Sequence, residues 1–518
     1  MATNPWLLIA IGLCTVFLAF AHTRRRRERS YPPGPKPRPI VGNIFDLTAR
    51  ELWLRASQWA KLYGDVVYLR VFGQGLLFLN TYETAIDLLD KKGSIYSDKP
   101  SLVMAGELCG CENMVAFTRY GDQSRRQRRL MQKALSPSAI PLYHSLLEIE
   151  TQALLKRLLE DPHNYDGHIR RYAGSLTLLV VYGCRVVSND DPFLTLAEDC
   201  VEIISNRIAS GGGIWPVDVF PILKHLPTWF PGAGFKRNAI KWKAKMEEFV
   251  DRPFELVKSR MKDGTATPCF CTSLLEQASE SEDVSGAQQE FDIKWTANSM
   301  YSGDFFVTMT VIRHFLLLME LHPEVAAKAK TEIDSVVGTD RLPMFSDRPS
   351  LPYVDAIMSE CLRWGTPVPL GLPHRLMEDD VYKGFYIPQG TLVFSNVWNM
   401  TRNPAVFPDP DAFVPERYFD GAKYATTDKN DPRNFVFGFG RRRCPGSHLV
   451  ESSLWIVMAC VLATLDVSKE TDAHGTPIEP EIVFENSVFR TPNAFPCAIK
   501  PRSEEAARVI RTAAALNA

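Results

Sequence analysis

The chain has 518 residues, 45% hydrophobic and 23% charged, which excludes a disordered chain and fits a large folded protein with ample core. A formal net charge of -1 gives no global pull toward nucleic acid. Eleven cysteines are too sparse for a disulfide scaffold and show no paired C-x-x-C zinc spacing.

In chain order, the first feature is an uncharged apolar run from Trp6 to Ala21, followed by Arg24–Arg27 and preceded by no basic side chain. A secretory signal carries its positive charge before the apolar stretch. This order therefore predicts a retained membrane anchor with the bulk of the chain in the cytoplasm. The anchor and basic flank are assigned to residues 1–29 and a proline-rich hinge, Tyr31 to Pro39, to residues 30–40. Residues 41–518 are expected to form one catalytic body, with no fixed-period repeat or long low-complexity linker to divide it.

Within the body, Asp65 to Asn80 alternates around Gly73 and Gly75 as a hairpin does, and Val381 to Asn396 has the same character. Helical patterns run over Ser136–Leu159, Asp292–Leu321 and Ser447–Leu465. The polar segment Glu276–Glu290 reads as a mobile loop. The expected fold is mainly α with small β-sheets. The pairs Cys109/Cys111 and Cys269/Cys271 lack partners nearby in sequence and read as ordinary, partly buried thiols.

The stretch FGFGRRRCPG, Phe437 to Gly446, is unlike the other cysteine contexts. Pro445 and Gly446 look like a helix start, and the positive end of a helix with its free N–H groups stabilises a thiolate. Gly438 and Gly440 give the backbone room to approach something flat, and Arg442 could meet an anionic group on it. A haem with a thiolate on its iron meets these demands, and so does a structural thiol in a glycine-rich turn.

The pattern Phe437, Gly440, Arg442, Cys444, Gly446 resembles the haem-binding signature of the cytochrome P-450 family. Other marks follow in the family's order: Glu360 and Arg363 in "ECLR", Arg417 in "PERY", then "GLPHR" and "YIPQGT". A second E-x-x-R, Glu505 to Arg508, reads as chance on a charged tail. The texture is similar to fungal membrane-bound members. The resemblance implies a P-450 fold with haem b between the I and L helices, Cys444 as axial iron ligand, and Phe437 and Gly438 against the ring. It further implies Arg442, Arg128 and His374 at the propionates, and a structural Glu360–Arg363–Arg417 network. Where the family's C helix carries W-x-x-x-R, this chain has Ser124 and Arg128, so one propionate contact is expected to be missing. Arg125, Arg126 and Arg129 read either as a solvated basic face or as a docking patch for an acidic redox partner.

The resemblance also implies dioxygen activation with NADPH-cytochrome P-450 reductase as electron donor, because the chain carries no G-x-G-x-x-G fingerprint and no flavin module. It places the protein in the endoplasmic reticulum membrane, N-terminus luminal and body cytoplasmic. The I helix departs from the family. Counting back from His322, the acid and threonine of its relay become Phe306 and Val307, neither of which carries a proton. Asp304 and Thr308, four residues apart, share a helix face and are the candidates for a displaced relay. A purely local hydrogen bond of Asp304 is the alternative.

By resemblance the substrate pocket draws on Ser101–Phe117, Val201–Ile214, Val368–Leu372 and Ser487–Phe489. Phe305, Phe306, Val307, Val368, Leu370 and Val488 are its candidate residues. Three functions are open at this stage. They are a monooxygenase acting on a hydrophobic small molecule of secondary metabolism; a haem-thiolate enzyme of coupling, ring closure, desaturation or rearrangement; and a haem-binding protein without turnover.

Overall fold

The computed structural model describes residues 30–47, 50–208, 215–280, 286–420, 423–485 and 488–516. The apolar run Trp6–Ala21 and its basic flank lie outside the described residues. The proline segment is docked on the body: the Tyr386 N–H donates to the Ser30 carbonyl at 2.7 Å and the Tyr68 N–H to the Pro33 carbonyl at 2.9 Å. Tyr31 stacks on Tyr68.

The helices that build the site are α1 (Asp122–Leu135), α2 (His144–Glu160), α3 (Tyr165–Tyr182), α4 (Phe270–Glu280), α5 (Gly286–Leu321), α6 (Pro352–Gly365), α7 (Ser447–Thr464) and α8 (Glu504–Ala515). Every residue of α5 from Thr308 to Glu320 is buried, so this half of the helix is enclosed on all sides and forms the axis of the core. It packs on α1, α3, α6 and α7. By length and composition α7 could cross a membrane, but it is 89% buried inside the protein and is a core helix.

Strands β1 (Val66–Val71) and β2 (Gln74–Leu79) form the expected hairpin, turning through Phe72 and Gly73, both at positive φ. The second β-rich stretch divides between two sheets. β4 (Asp380–Tyr382) and β5 (Phe385–Ile387) pair only with each other. β6 (Leu392–Ser395) runs parallel to β2 and antiparallel to β3 (His374–Arg375), giving the order β1-β2-β6-β3. In this register His374 lies opposite Val393, which sets the imidazole at the inner edge of the sheet.

Two expected element bounds are corrected. The helix expected from Ser136 begins at His144 after a 3-10 turn at Ile140–Tyr143, because Pro137 and Pro141 remove backbone donors there. The segment Glu276–Glu290 is largely helical: α4 runs to Glu280 and α5 starts at Gly286, leaving residues 281–285 outside the described set. Its Glu, Gln and Ala are strong helix formers, and it is polar because the start of α5 faces solvent.

Candidate active site

A cavity of about 300 Å³ lies between α5 on one side and the loop before α7 on the other. Cys444 is the only cysteine among the described residues on its wall. The loop folds back on itself through the Cys444 N–H, which donates to the Phe437 carbonyl at 2.8 Å. By surface area the thiol is exposed, yet it is surrounded by protein atoms; the exposed face is the one turned into the cavity. Burial pushes its pKa up, and the Gly446 N–H at the start of α7, with the Arg128 and Arg443 guanidiniums, opposes that rise.

Gly438 and Gly440 have different jobs. Gly438 (φ +74) lines the cavity, and a Cβ there would meet nothing within 4 Å. At Gly440 (φ +55) a Cβ would lie 2.1 Å from the Leu89 carbonyl oxygen. Room for a flat group is therefore Gly438's contribution alone, while Gly440 lets the loop pack on protein backbone.

Phe437, Arg442, Arg128 and His374 all reach this wall. Arg442 donates to the carbonyls of Ser97 (2.8 Å) and Thr118 (2.8 Å), and burial followed by repulsion from Arg128 pushes it down to about 10. Arg128 donates to the Arg443 carbonyl at 2.6 Å. The His374 ring gives its Nδ1 hydrogen to the Tyr96 carbonyl at 2.7 Å; burial, then Lys99, hold its pKa well below the ordinary value.

Lys99 escaped the sequence reading. Its Nζ donates to the carbonyls of Leu372 (3.0 Å) and Pro373 (3.1 Å), and burial, then Arg442 and Arg128, push its pKa far down. The neighbouring Asp98 carboxylate is taken by Arg119 and Arg375. Lys99, Arg128 and Arg442 thus face one cavity whose sole carboxyl, Asp304, is engaged elsewhere. Buried cations without an acid are costly. A haem, with two propionates to pair with them and a thiol for its iron, fits these residues. Ser124 is buried in α1 away from the cavity, and Lys99 supplies the additional donor on this side.

Glu360 and Arg363 on α6 are fully buried and joined by two hydrogen bonds of 2.7 Å. The same carboxylate accepts from Arg417 at 3.3 Å, from the Val414 N–H at 2.9 Å and from the Tyr418 hydroxyl at 3.2 Å. The remaining Arg363 hydrogens go to the carbonyls of Thr401, Pro410 and Ala412. The network ties α6 to the segment leading toward the cysteine loop. By contrast, Glu505 and Arg508 on α8 pair on the surface.

On the opposite wall, α5 presents Gly303, Asp304 and Val307. The Asp304 carboxyl is hydrogen-bonded to the Thr177 hydroxyl of α3 at 2.7 Å and accepts from Thr308 at 3.2 Å, and burial pushes its pKa up. Thr308 is fully buried and off the cavity wall. The pocket assignment is corrected in part. Val307 and Val368 line the cavity, but Phe305 packs against Gly174, Phe306 stacks on Phe489, and Leu370 joins the core of the β1–β2 sheet. Val488 is also off the wall, whereas Phe489 is on it. No described residue of 201–208 lines the cavity, whereas Met114, Val115 and Ala116 do. Thr177, Val180 and Val181 are further wall residues, invisible beforehand because α3 meets α5 only through the tertiary fold.

The basic patch on α1 is also reduced. Arg126 is bonded to the buried Asp292 of α5 and acts as a staple between helices, and Arg125 pairs with Asp122. Arg129 remains exposed. Cys109, Cys111, Cys269 and Cys271 are buried; burial raises Cys109 to about 12 and Cys271 well above the ordinary value. Among the described residues no cluster of three or more His, Cys, Asp or Glu could hold a metal ion.

The Cytochrome P450 family model matches residues 32–493. The chain is 40% identical over 492 residues to Cytochrome P450 monooxygenase claT of Ampulloclitocybe clavipes, covering 95% of each chain. It is 38% identical over 511 residues to Cytochrome P450 monooxygenase 136 of Postia placenta, covering 98% of this chain and 96% of that one. Matched by that family over residues 32–493 and by fungal monooxygenases over nearly its full length, with a cavity that fits the family's thiolate-bound cofactor, this chain belongs to the cytochrome P450 family and is a monooxygenase.

Proposed function

We propose that the protein inserts one oxygen atom of dioxygen into a hydrophobic small molecule, a terpenoid, polyketide or aromatic secondary metabolite. Dioxygen, the substrate, two electrons and two protons become oxidised product and water. NADPH supplies the electrons through a separate membrane-bound reductase, since this chain holds no nucleotide-binding fingerprint. Haem bound through the Cys444 thiolate supplies dioxygen activation, the sulfur pushing electron density toward the iron.

The residues of the chain do the rest. Lys99, Arg128 and Arg442 would hold the propionates, and His374, whose ring hydrogen goes to the Tyr96 carbonyl, lines the same wall. Val307, Val368 and Phe489 exclude water and shape an apolar space for the substrate. Asp304, the one carboxyl on the wall, holds a proton in place of the missing acid–threonine pair. The single observation carrying this reading is the shared cavity: a free thiol faces an apolar wall that contains one acid. An anchor at Trp6–Ala21 would keep the body at the endoplasmic reticulum surface, where apolar substrates and the reductase concentrate.

The test is product analysis with reductase, NADPH and isotopically labelled dioxygen over a panel of such metabolites. Label in the product supports oxygen insertion. Conversion without label favours coupling, desaturation or ring closure, the reading that Phe306 and Val307 at the relay positions would then explain.

A further inference from the structure

Thr177 sits on α3, 127 residues before Asp304, yet its hydroxyl oxygen lies 2.7 Å from Asp304 Oδ2. The same oxygen lies 3.1 Å from the Ala173 carbonyl one turn back on its own helix. A threonine hydroxyl has one hydrogen and two lone pairs, so it cannot donate to both. A carbonyl only accepts. If Thr177 donates to Ala173, the hydrogen in the 2.7 Å contact belongs to the carboxyl of Asp304. Thr308, whose hydroxyl lies 3.2 Å from Oδ1, donates to the other oxygen. In this arrangement each hydroxyl and carboxyl hydrogen is used and each contact is made. An ionised Asp304 would instead draw in the Thr177 hydrogen and forgo the bond to Ala173.

The surroundings choose between the two. From α3, Thr177 and, farther off, Tyr172 face the carboxyl; from α5, Thr308; from the cysteine loop, Cys444. None of these is a cation, and a buried carboxylate without one is expensive. Gly174 lies at the α3–α5 contact, where a Cβ would stand 3.3 Å from the Phe305 ring of α5. Of the two alcohols, Thr177 shares the cavity wall with Asp304 and Thr308 does not.

We propose that Thr177, contributed by α3, is the positioning residue that keeps Asp304 as a neutral, proton-bearing acid at the cavity wall. This rests on the reading of Asp304 as the proton source. In the transfer, the Asp304 O–H bond breaks and a new O–H bond forms on a water in the cavity. The Thr177 hydrogen rotates from the Ala173 carbonyl to Oδ2 and stabilises the carboxylate left behind. A proton returning from cavity water restores both bonds. The family-type pairing of an acid with an alcohol is thereby rebuilt across two helices.

The test uses the full-length, haem-loaded ferric protein at neutral pH and infrared difference spectra against Asp304→Asn. A protonated-carboxyl C=O band should be present and absent from D304N. It should move to higher frequency in Thr177→Val, return in Thr177→Ser, and move less in Thr308→Val. With reductase and NADPH, the ratio of hydrogen peroxide to water should rise about tenfold or more in D304N and T177V. No carboxyl band in the parent, or a band that T308V moves and T177V does not, overturns the role of Thr177. A band that behaves as stated while D304N leaves the peroxide-to-water ratio unchanged overturns the proton-source reading on which it rests. The carbon-monoxide spectrum of each reduced variant reports whether the haem site is intact.

Discussion

Arg363 Nε and Nη2 grip the two carboxylate oxygens of Glu360 at 2.7 Å each, with neither side chain reaching solvent. Such a pair is costly to break from one side, because the survivor is left as a buried, unpaired charge. Glu360→Gln is expected to cost about 3–5 kcal/mol in chemical denaturation. Glu505→Gln, in the same sequence pattern on the surface of α8, should stay within about 0.5 kcal/mol. Equal effects would show that the network does not organise α6.

Gly440→Ala places a methyl against the Leu89 carbonyl at a positive-φ position, whereas Gly438→Ala meets open space. G440A should lose about 1–3 kcal/mol of stability from steric overlap alone. G438A should keep more of that stability and instead take up less haem, measured by the ratio of haem to protein absorbance.

Glu320, buried near the end of α5, has among the described residues no N–H or O–H partner, only the Cys497 thiol beside it, and burial raises its pKa to about 7. Its folded-state pKa therefore lies above the unfolded value. The folded protein binds the extra proton between about pH 4.3 and the folded pKa, so stability falls as pH rises through that window. Glu320→Gln should flatten this part of the stability–pH curve and raise Tm above neutrality. A parallel curve for the variant would contradict the assignment.

Arg129 is exposed on α1, while its neighbour Arg126 is spent on Asp292. Arg129→Glu should raise the KM for reductase at low salt, the difference shrinking as ionic strength rises, with the melting temperature unchanged. Arg126→Glu should lower Tm instead. Reductase kinetics indifferent to R129E would place the docking surface elsewhere.

What the sequence disclosed was local. The cysteine loop and the E-x-x-R helix are short segments whose residue order is itself the chemistry, and the β1–β2 hairpin is written in alternation around its turn. What escaped it depends on convergence. Lys99 approaches Arg128 and Arg442 only when three separate segments meet, and Thr177 reaches Asp304 only when α3 packs on α5. Phe305 and Phe306 illustrate the same limit. The resemblance places them at the cavity, but Phe305 packs against Gly174 and Phe306 stacks on Phe489 behind the wall.

The account stands on sulfur bonded to iron at Cys444, and the absorption spectrum of the reduced, carbon-monoxide-bound protein measures it. The parent should show the red-shifted Soret band of a thiolate-ligated haem, and Cys444→Ala should lose it while Cys460→Ala keeps it. A parent that takes up no haem, or a C444A variant whose thiolate-type band is unchanged, would contradict the account.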